Sequence, residues 1–175
     1  MTTYLDHAAT SPIRPEVLAA YTEAMRLVGN PSSIHSAGQA SRSRLEDARE
    51  RIASVVGCDR SEVVFTSGGT EANNLAVKGL YAQRHRPLII TTAAEHHAVL
   101  DAVEALEKQG AEVHHLGLSE NGVVDLDELA NLLEARGAET ALIALMWVNN
   151  ETGVITPVER VTELAKKHGV PVHSD

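Results

Sequence analysis

The stretch Val63–Asn74, VVFTSGGTEANN, runs two β-branched residues and a phenylalanine into a pair of glycines, then passes straight into the helix-forming pattern EANNLAVKGLYAQ. Strand, turn and helix follow one another with almost nothing between them. A junction of this kind leaves the first N–H groups of the helix without partners and turns the positive end of its dipole toward the preceding turn, which suits an anion. Gly68 and Gly69 would let that anion approach the backbone closely. Thr70 has two readings, as a helix cap or as a hydroxyl donor in a phosphate cradle. The stretch is neither a Walker loop, having no Gly-Lys-Ser/Thr, nor a GxGxxG fingerprint.

Outward from this junction, apolar runs rich in β-branched residues alternate with helical patterns. EVVF precedes NLAVKGLYA, PLIIT precedes AVLDAVEALEKQ, AEVHHLGL precedes DLDELANLLEA, TALIALMWV precedes VERVTELAKKH, and VPVHS comes last. The order βαβαβαβαβ with short connections predicts an α/β fold, a three-layer sandwich whose mostly parallel sheet carries helices on both faces. TALIALMWV is apolar at nearly every position, as a strand buried on both sides must be, and is expected at the centre. Ahead of this unit, Pro15–Val28 and Gly38–Val56 read as two amphipathic helices joined by the loop GNPSSIHSA. Residues 1–60 are therefore expected to form an N-terminal arm with helices, and residues 61–175 the sheet-containing part. No internal repeat, low-complexity segment or linker marks a second complete domain.

Composition narrows the function classes. The 175 residues are 43% hydrophobic, enough for a real core, and 15 Lys and Arg against 24 Asp and Glu leave a formal charge of −9. That charge repels phosphate backbones and anionic lipid, so neither nucleic acid nor a membrane is an expected partner. No apolar run approaches the roughly 20 residues of a spanning helix, and MTTYLDHAAT lacks the layout of a signal peptide, so a cytoplasmic location is expected. The single cysteine, Cys58, cannot form an internal disulfide. With Asp59 and Glu62 beside it, it also lacks the electropositive surroundings that activate a thiol.

In an open parallel sheet, ligands gather at the carboxyl ends of the strands, so the residues after each strand form one candidate set. They are Thr66–Glu71 (TSGGTE), Thr92–His97 (TAAEHH), Asn149–Gly153 (NNETG) and Asp175. His96 could stack on a flat ligand or move a proton near neutral pH, or it could be a cap or a surface residue. His114 and His115 read as decoration on a strand face. The asparagines of NNETG are either loop hydrogen-bonders or ligand contacts. A carboxylate such as Asp175 at a strand end can fix the protonation of a bound heterocycle. Nothing matches HExxH or another dedicated zinc spacing, so no metal is assigned.

Taken together, YLDHAATSP, GNPSSIHSAG, VVFTSGGTEANNLAVKG, TTAAEHHAVLDA, GVVDLDELA, MWVNNETGVITPVE and VPVHSD resemble, in order and across essentially the whole chain, the cysteine desulfurases. These are pyridoxal-phosphate enzymes of the aminotransferase class V group with the type I fold. NPSSIH and AEHHAVL are closer to the subgroup that serves iron–sulfur assembly and tRNA thiolation. The resemblance implies pyridoxal 5'-phosphate as cofactor, its phosphate held by Gly69 and Thr70, its ring stacked by His96, its 3'-oxygen bonded by Asn150 and its pyridinium nitrogen paired with Asp175. Ala8, Thr10 and Asn30 would line the substrate side. It further implies L-cysteine as substrate, alanine as product, a protein persulfide handed to an iron–sulfur scaffold or a tRNA-thiolation protein, and a homodimer. His96 would be the catalytic group in this part of the enzyme.

The same resemblance departs where the chain stops. The family's Ser-x-His-Lys segment with its Schiff-base lysine, its small domain and its mobile loop with the nucleophilic cysteine lie beyond Asp175, and neither Cys58 nor Lys78, Lys108, Lys166 or Lys167 occupies a matching context. The chain alone is thus expected to be an inactive portion of the large domain. Two further readings stay open: a selenocysteine lyase or aminotransferase of the same class, and a catalytically dead binding or dimerisation module.

Overall fold

Four segments pair side by side in the computed structural model, which describes residues 3–175. They are β1 (Leu88–Thr91), β2 (Glu112–His115), β3 (Thr140–Ala144) and β4 (Val172–His173), in the order β2-β1-β3-β4, with every pair parallel. The two inner strands are the two whose residues are all buried, as the unbroken apolar character of LIIT and TALIA requires.

Parallel neighbours need crossovers, and the helices provide them. On one face, Ile89, Leu142 and Ala144 pack with Val77 of α3 (Gly69–Arg84) and with Val99, Ala102, Val103 and Leu106 of α4 (His97–Glu107). On the other, Leu88, Ile90, Ile143 and Leu145 pack with Leu129 and Leu133 of α5 (Leu126–Arg136) and Val161 and Ala165 of α6 (Val158–Lys167). This is the three-layer sandwich expected. Each fully buried Leu, Ile or Val contributes about 1.5–3 kcal/mol. Helix starts follow ordinary chemistry: the Asp125 carboxylate accepts from the N–H groups of Asp127 and Glu128 at 3.0 and 2.9 Å and fixes the start of α5.

One expected strand does not form. Val63–Phe65 is extended, yet it has no ladder partner among the described residues. Its backbone is engaged otherwise, because the Arg49 guanidinium donates to the Val63 carbonyl and lies over the Phe65 ring, 4.9 Å from its centroid. An extended segment becomes a strand only when a neighbour completes its hydrogen bonds.

Two compact units divide the chain, one ending at Phe65 and the other comprising Thr66–Asp175. The first contains α1 (Pro15–Met25) and α2 (Ser36–Val56). α1 is three residues shorter at its end than its pattern predicts, and α2 starts two residues earlier, capped by His35 Nδ1 accepting from Gly38 N–H. Gly38 is demanded by close packing, since a Cβ there would stand 2.4 Å from the Ser33 carbonyl oxygen. The α1 residues Val17, Leu18, Tyr21 and Met25 are exposed. No helix among the described residues is long and apolar enough to cross a membrane.

Candidate functional site

The carboxyl ends of β1, β3 and β4 bring their following residues together, and a buried carboxyl group is the tie. Glu95, four residues beyond β1, is only 8% exposed and accepts from the backbone N–H of Met146, two residues beyond β3, at 2.8 Å. The Thr92 hydroxyl donates to the same oxygen at 3.3 Å. The other oxygen, Oε2, is buried with no partner. Burial pushes the Glu95 carboxyl up to about 7; the Met146 and Thr92 bonds oppose the rise and the Asp175 carboxylate adds to it.

A second tie runs beside the first. Asn149 Nδ2 donates to the Ala94 carbonyl at 2.8 Å, while Asn149 Oδ1 accepts from the N–H groups of Glu151 and Thr152 and from the Thr152 hydroxyl. Asn149 is therefore the loop-forming asparagine. Asn150, next to it, is exposed and bonds only the Glu151 side chain, at 3.1 Å. The loop-bonding reading of the NNETG asparagines is met by Asn149, and Asn150 takes no part in it.

His96 combines the capping and surface readings. Its Nδ1 accepts from the Ala98 N–H at 3.1 Å and caps α4, so a neutral ring carries its proton on Nε2. Nearly half of the side chain is exposed, and Nδ1 stands 3.9 Å from Asp175 Oδ2. His96 and Asp175 are thus neighbours.

The glycine turn supplies the anion-binding geometry. α3 begins at Gly69 with Gly68 as its cap residue and no side-chain cap, so Thr70 lies inside the first turn; its cap reading is overturned. A Cβ on Gly68 or Gly69 would meet nothing within 4 Å, which leaves open space before the helix N-terminus. Glu71 takes the Ser67 N–H and hydroxyl, both at 2.6 Å, and these bonds hold its carboxyl below the usual range. The donors of Gly69 and Thr70 stay available to an anion. α3 is anchored to β4 by Asn73, whose Oδ1 accepts from His173 Nε2 at 2.9 Å. An uncapped helix end with a free hydroxyl, a flat imidazole and a carboxylate form a donor set that fits a phosphorylated aromatic cofactor.

Ala8, Thr10 and Asn30 belong to the first unit. The N–H groups of Ala9 and Thr10 donate to the Asp6 carbonyl, Tyr4 donates to the carbonyls of Asp6 and Thr10, and Asn30 accepts from Ser32 and Ser33 N–H. His114 is no mere decoration, since its Nε2 meets Glu128 Oε1 at 2.7 Å and so ties β2 to α5. Among the described residues no cluster of His, Cys, Asp and Glu could hold a metal ion. Sequence reasoning missed Asn73 and His173, and it placed Glu95 and Glu71 in the candidate set without giving either a role. Only Asn73 leaves a local trace, lying four residues before Val77 on the buried stripe of α3.

Comparison with known proteins identifies the family. Residues 3–175 match the family model described as aminotransferase class-V. The chain is 47% identical over 178 residues to an IscS-like cysteine desulfurase of Mycobacterium tuberculosis and 43% identical over 175 to the cysteine desulfurase IscS of Dictyoglomus turgidum. Both alignments take in 98% of this chain but only 45% and 44% of those proteins, so the chain spans less than half of their length. Among solved structures, a NifS-like protein superposes with a TM-score of 0.93 at 37% identity, over 100% of this chain and 49% of the other. SspA in complex with cysteine gives 0.91 at 34%, over 99% of this chain and 50% of that one.

Proposed function

This chain belongs to the aminotransferase class-V family, and on that footing we propose that it supplies the cofactor-holding part of a cysteine desulfurase. The observation that carries the reading is the meeting of His96 with Asp175 at one sheet edge, where the Asn73–His173 bond also anchors the uncapped N-terminal turn of α3.

Pyridoxal 5'-phosphate, when bound, supplies an electron sink in its pyridinium ring. Gly69 and Thr70 bind the phosphate with backbone and hydroxyl donors. Asp175 holds a proton on the ring nitrogen, as an adjacent carboxylate favours the cationic form. His96 stacks on the ring and moves protons at Nε2, the atom left outside its capping bond. Asn150, which takes no part in the loop bonds of Asn149, would offer its amide to the ring 3'-oxygen.

The reaction proposed for the protein carrying this chain takes L-cysteine to alanine and passes the sulfur to a protein thiol as a persulfide, for an iron–sulfur scaffold or a tRNA-thiolation protein. Similarity to proteins named cysteine desulfurase, and to a structure with cysteine bound, supports this choice. The proposal includes a cytoplasmic homodimer, for which the exposed α1 residues offer apolar surface. The test has two arms. Equilibrium dialysis of this chain should show saturable binding of pyridoxal 5'-phosphate that inorganic phosphate competes away and Thr70→Val weakens. The longer protein that carries these residues should release alanine and sulfide from L-cysteine in equal amounts with a reductant present. Binding insensitive to phosphate and to Thr70→Val, or no alanine from the longer protein, would overturn the reading.

A further inference from the structure

Beneath the site, buried Asn73 bonds half-buried His173, and buried Thr91 stands near them with no role described so far. Asn73 is 3% exposed and Thr91 fully buried, yet Asn73 Nδ2 and Thr91 Oγ1 each lack a hydrogen-bond partner. Two such orphans in one small core call for a cause.

The strand register places them in one row. Ile90 lies opposite Ile143, so the next pair along is Thr91 with Ala144, and Ala144 in turn lies opposite His173. Ile89, Leu142 and Ala144 all face α3 and α4, so alternation puts Thr91 and His173 on that face too. Thr91 and His173 therefore flank Ala144, whose methyl group leaves room above it. Asn73 enters from above, one helical turn before Val77 on the stripe that α3 buries. Its Oδ1 takes the His173 Nε2 proton at 2.9 Å. A planar amide then directs Nδ2 away from His173, toward the Thr91 side of the row. A donor and a hydroxyl, both buried and both unpartnered, are complementary through one bridging water.

We propose that half-buried His173 and buried Asn73 and Thr91 form a polar row, completed by one water between Asn73 and Thr91, that locks α3 to β4 and so fixes Asp175 relative to the N-terminal turn of α3. These are positioning residues, and their purpose rests on the cofactor reading above: Gly69–Thr70 and Asp175 would grip opposite ends of one rigid molecule, so their separation must be held by the protein. His173 is two residues from Asp175, and Asn73 is one turn inside the Gly69 end, so the bond between them links the two grips. Burial disfavours the charged form of His173, with Asp175 acting in opposition, which keeps the ring a neutral Nε2–H donor.

The test reads the row and its purpose separately. Long-range ¹H–¹⁵N spectra of the histidine rings in this chain at pH 7 should show His173 as the neutral Nε2–H tautomer. Asn73→Asp, which sets a carboxylate against Nε2, should convert His173 to the protonated ring at the same pH. A role limited to filling space would leave the ring unchanged. An Nδ1–H tautomer in the native chain, or a His173 indifferent to Asn73→Asp, would overturn the row. Its purpose is read by pyridoxal 5'-phosphate affinity in a double-mutant cycle. Asp175→Asn should weaken binding about tenfold in the native background and less than twofold in an Asn73→Leu background, where Asp175 is no longer held. Equal losses in both backgrounds would overturn the positioning role. Should Asp175→Asn cost nothing even in the native background, the cofactor reading itself fails, while the ring spectra still decide the row.

Discussion

Replacing Glu95 by glutamine should make the chain more stable at alkaline pH, by an amount the buried carboxyl fixes. The folded state holds this group near 7 against an ordinary value of 4.5. Folding therefore favours the protonated form, so the contribution is complete below pH 4.5 and is lost as the pH rises through 7. About 1.36 kcal/mol per pH unit over this span of about 2.5 gives an upper limit of about 3.4 kcal/mol. Glutamine keeps an oxygen to accept the Met146 and Thr92 bonds but has no proton to lose. Urea unfolding of both proteins at pH 5, 6, 7 and 8 reads the effect directly. The stability difference, variant minus native, should climb by about 2–3 kcal/mol between pH 5 and 8, with most of the change below pH 7.5. Other titrating groups are common to both chains and cancel. A difference flat to within about 0.5 kcal/mol across that range would show that Glu95 does not hold its proton on folding, and the argument from its buried, unpartnered oxygen would fail.

Further outcomes follow from the same geometry. Asn149→Ala removes four hydrogen bonds and should destabilise the chain by about 1–3 kcal/mol, whereas Asn150→Ala should stay within about 0.5 kcal/mol, both read by urea unfolding. Gly69→Ala should leave the melting temperature unchanged or slightly raised, because its Cβ meets nothing, yet it should lower affinity for pyridoxal 5'-phosphate by crowding the space an anion would fill. Gly38→Ala should behave in the opposite way, lowering the melting temperature by several degrees through its clash with the Ser33 carbonyl.

What could be read from the residues alone was whatever is local or repeats along the chain. LIIT and TALIA announce themselves as doubly buried strands because every position is apolar or β-branched, and the Gly-Gly-Thr turn before α3 advertises an open helix end without any knowledge of the rest. The failures share one physical cause. EVVF has strand propensity, but a ladder needs a neighbour, and Arg49 claims the Val63 carbonyl instead. Glu95 looks like any acidic residue before a histidine until Met146, 51 positions later, buries and bonds it. Asn73 and His173 stand 100 residues apart, and no periodicity connects them. Within NNETG the composition pointed to a site, but which asparagine builds the loop and which is free depends on the Ala94 carbonyl lying across the sheet edge.

The central claim is that the turn before α3, the β1 end and the β4 end make one cofactor site, and amide chemical-shift mapping during titration with pyridoxal 5'-phosphate tests it most directly. The account predicts that the shifts concentrate at Gly69, Thr70, His96, Asn150 and Asp175, and that inorganic phosphate moves only the Gly69–Thr70 subset. Shifts at Gly69 and Thr70 without His96 or Asp175, or a set centred elsewhere on the chain, would contradict it.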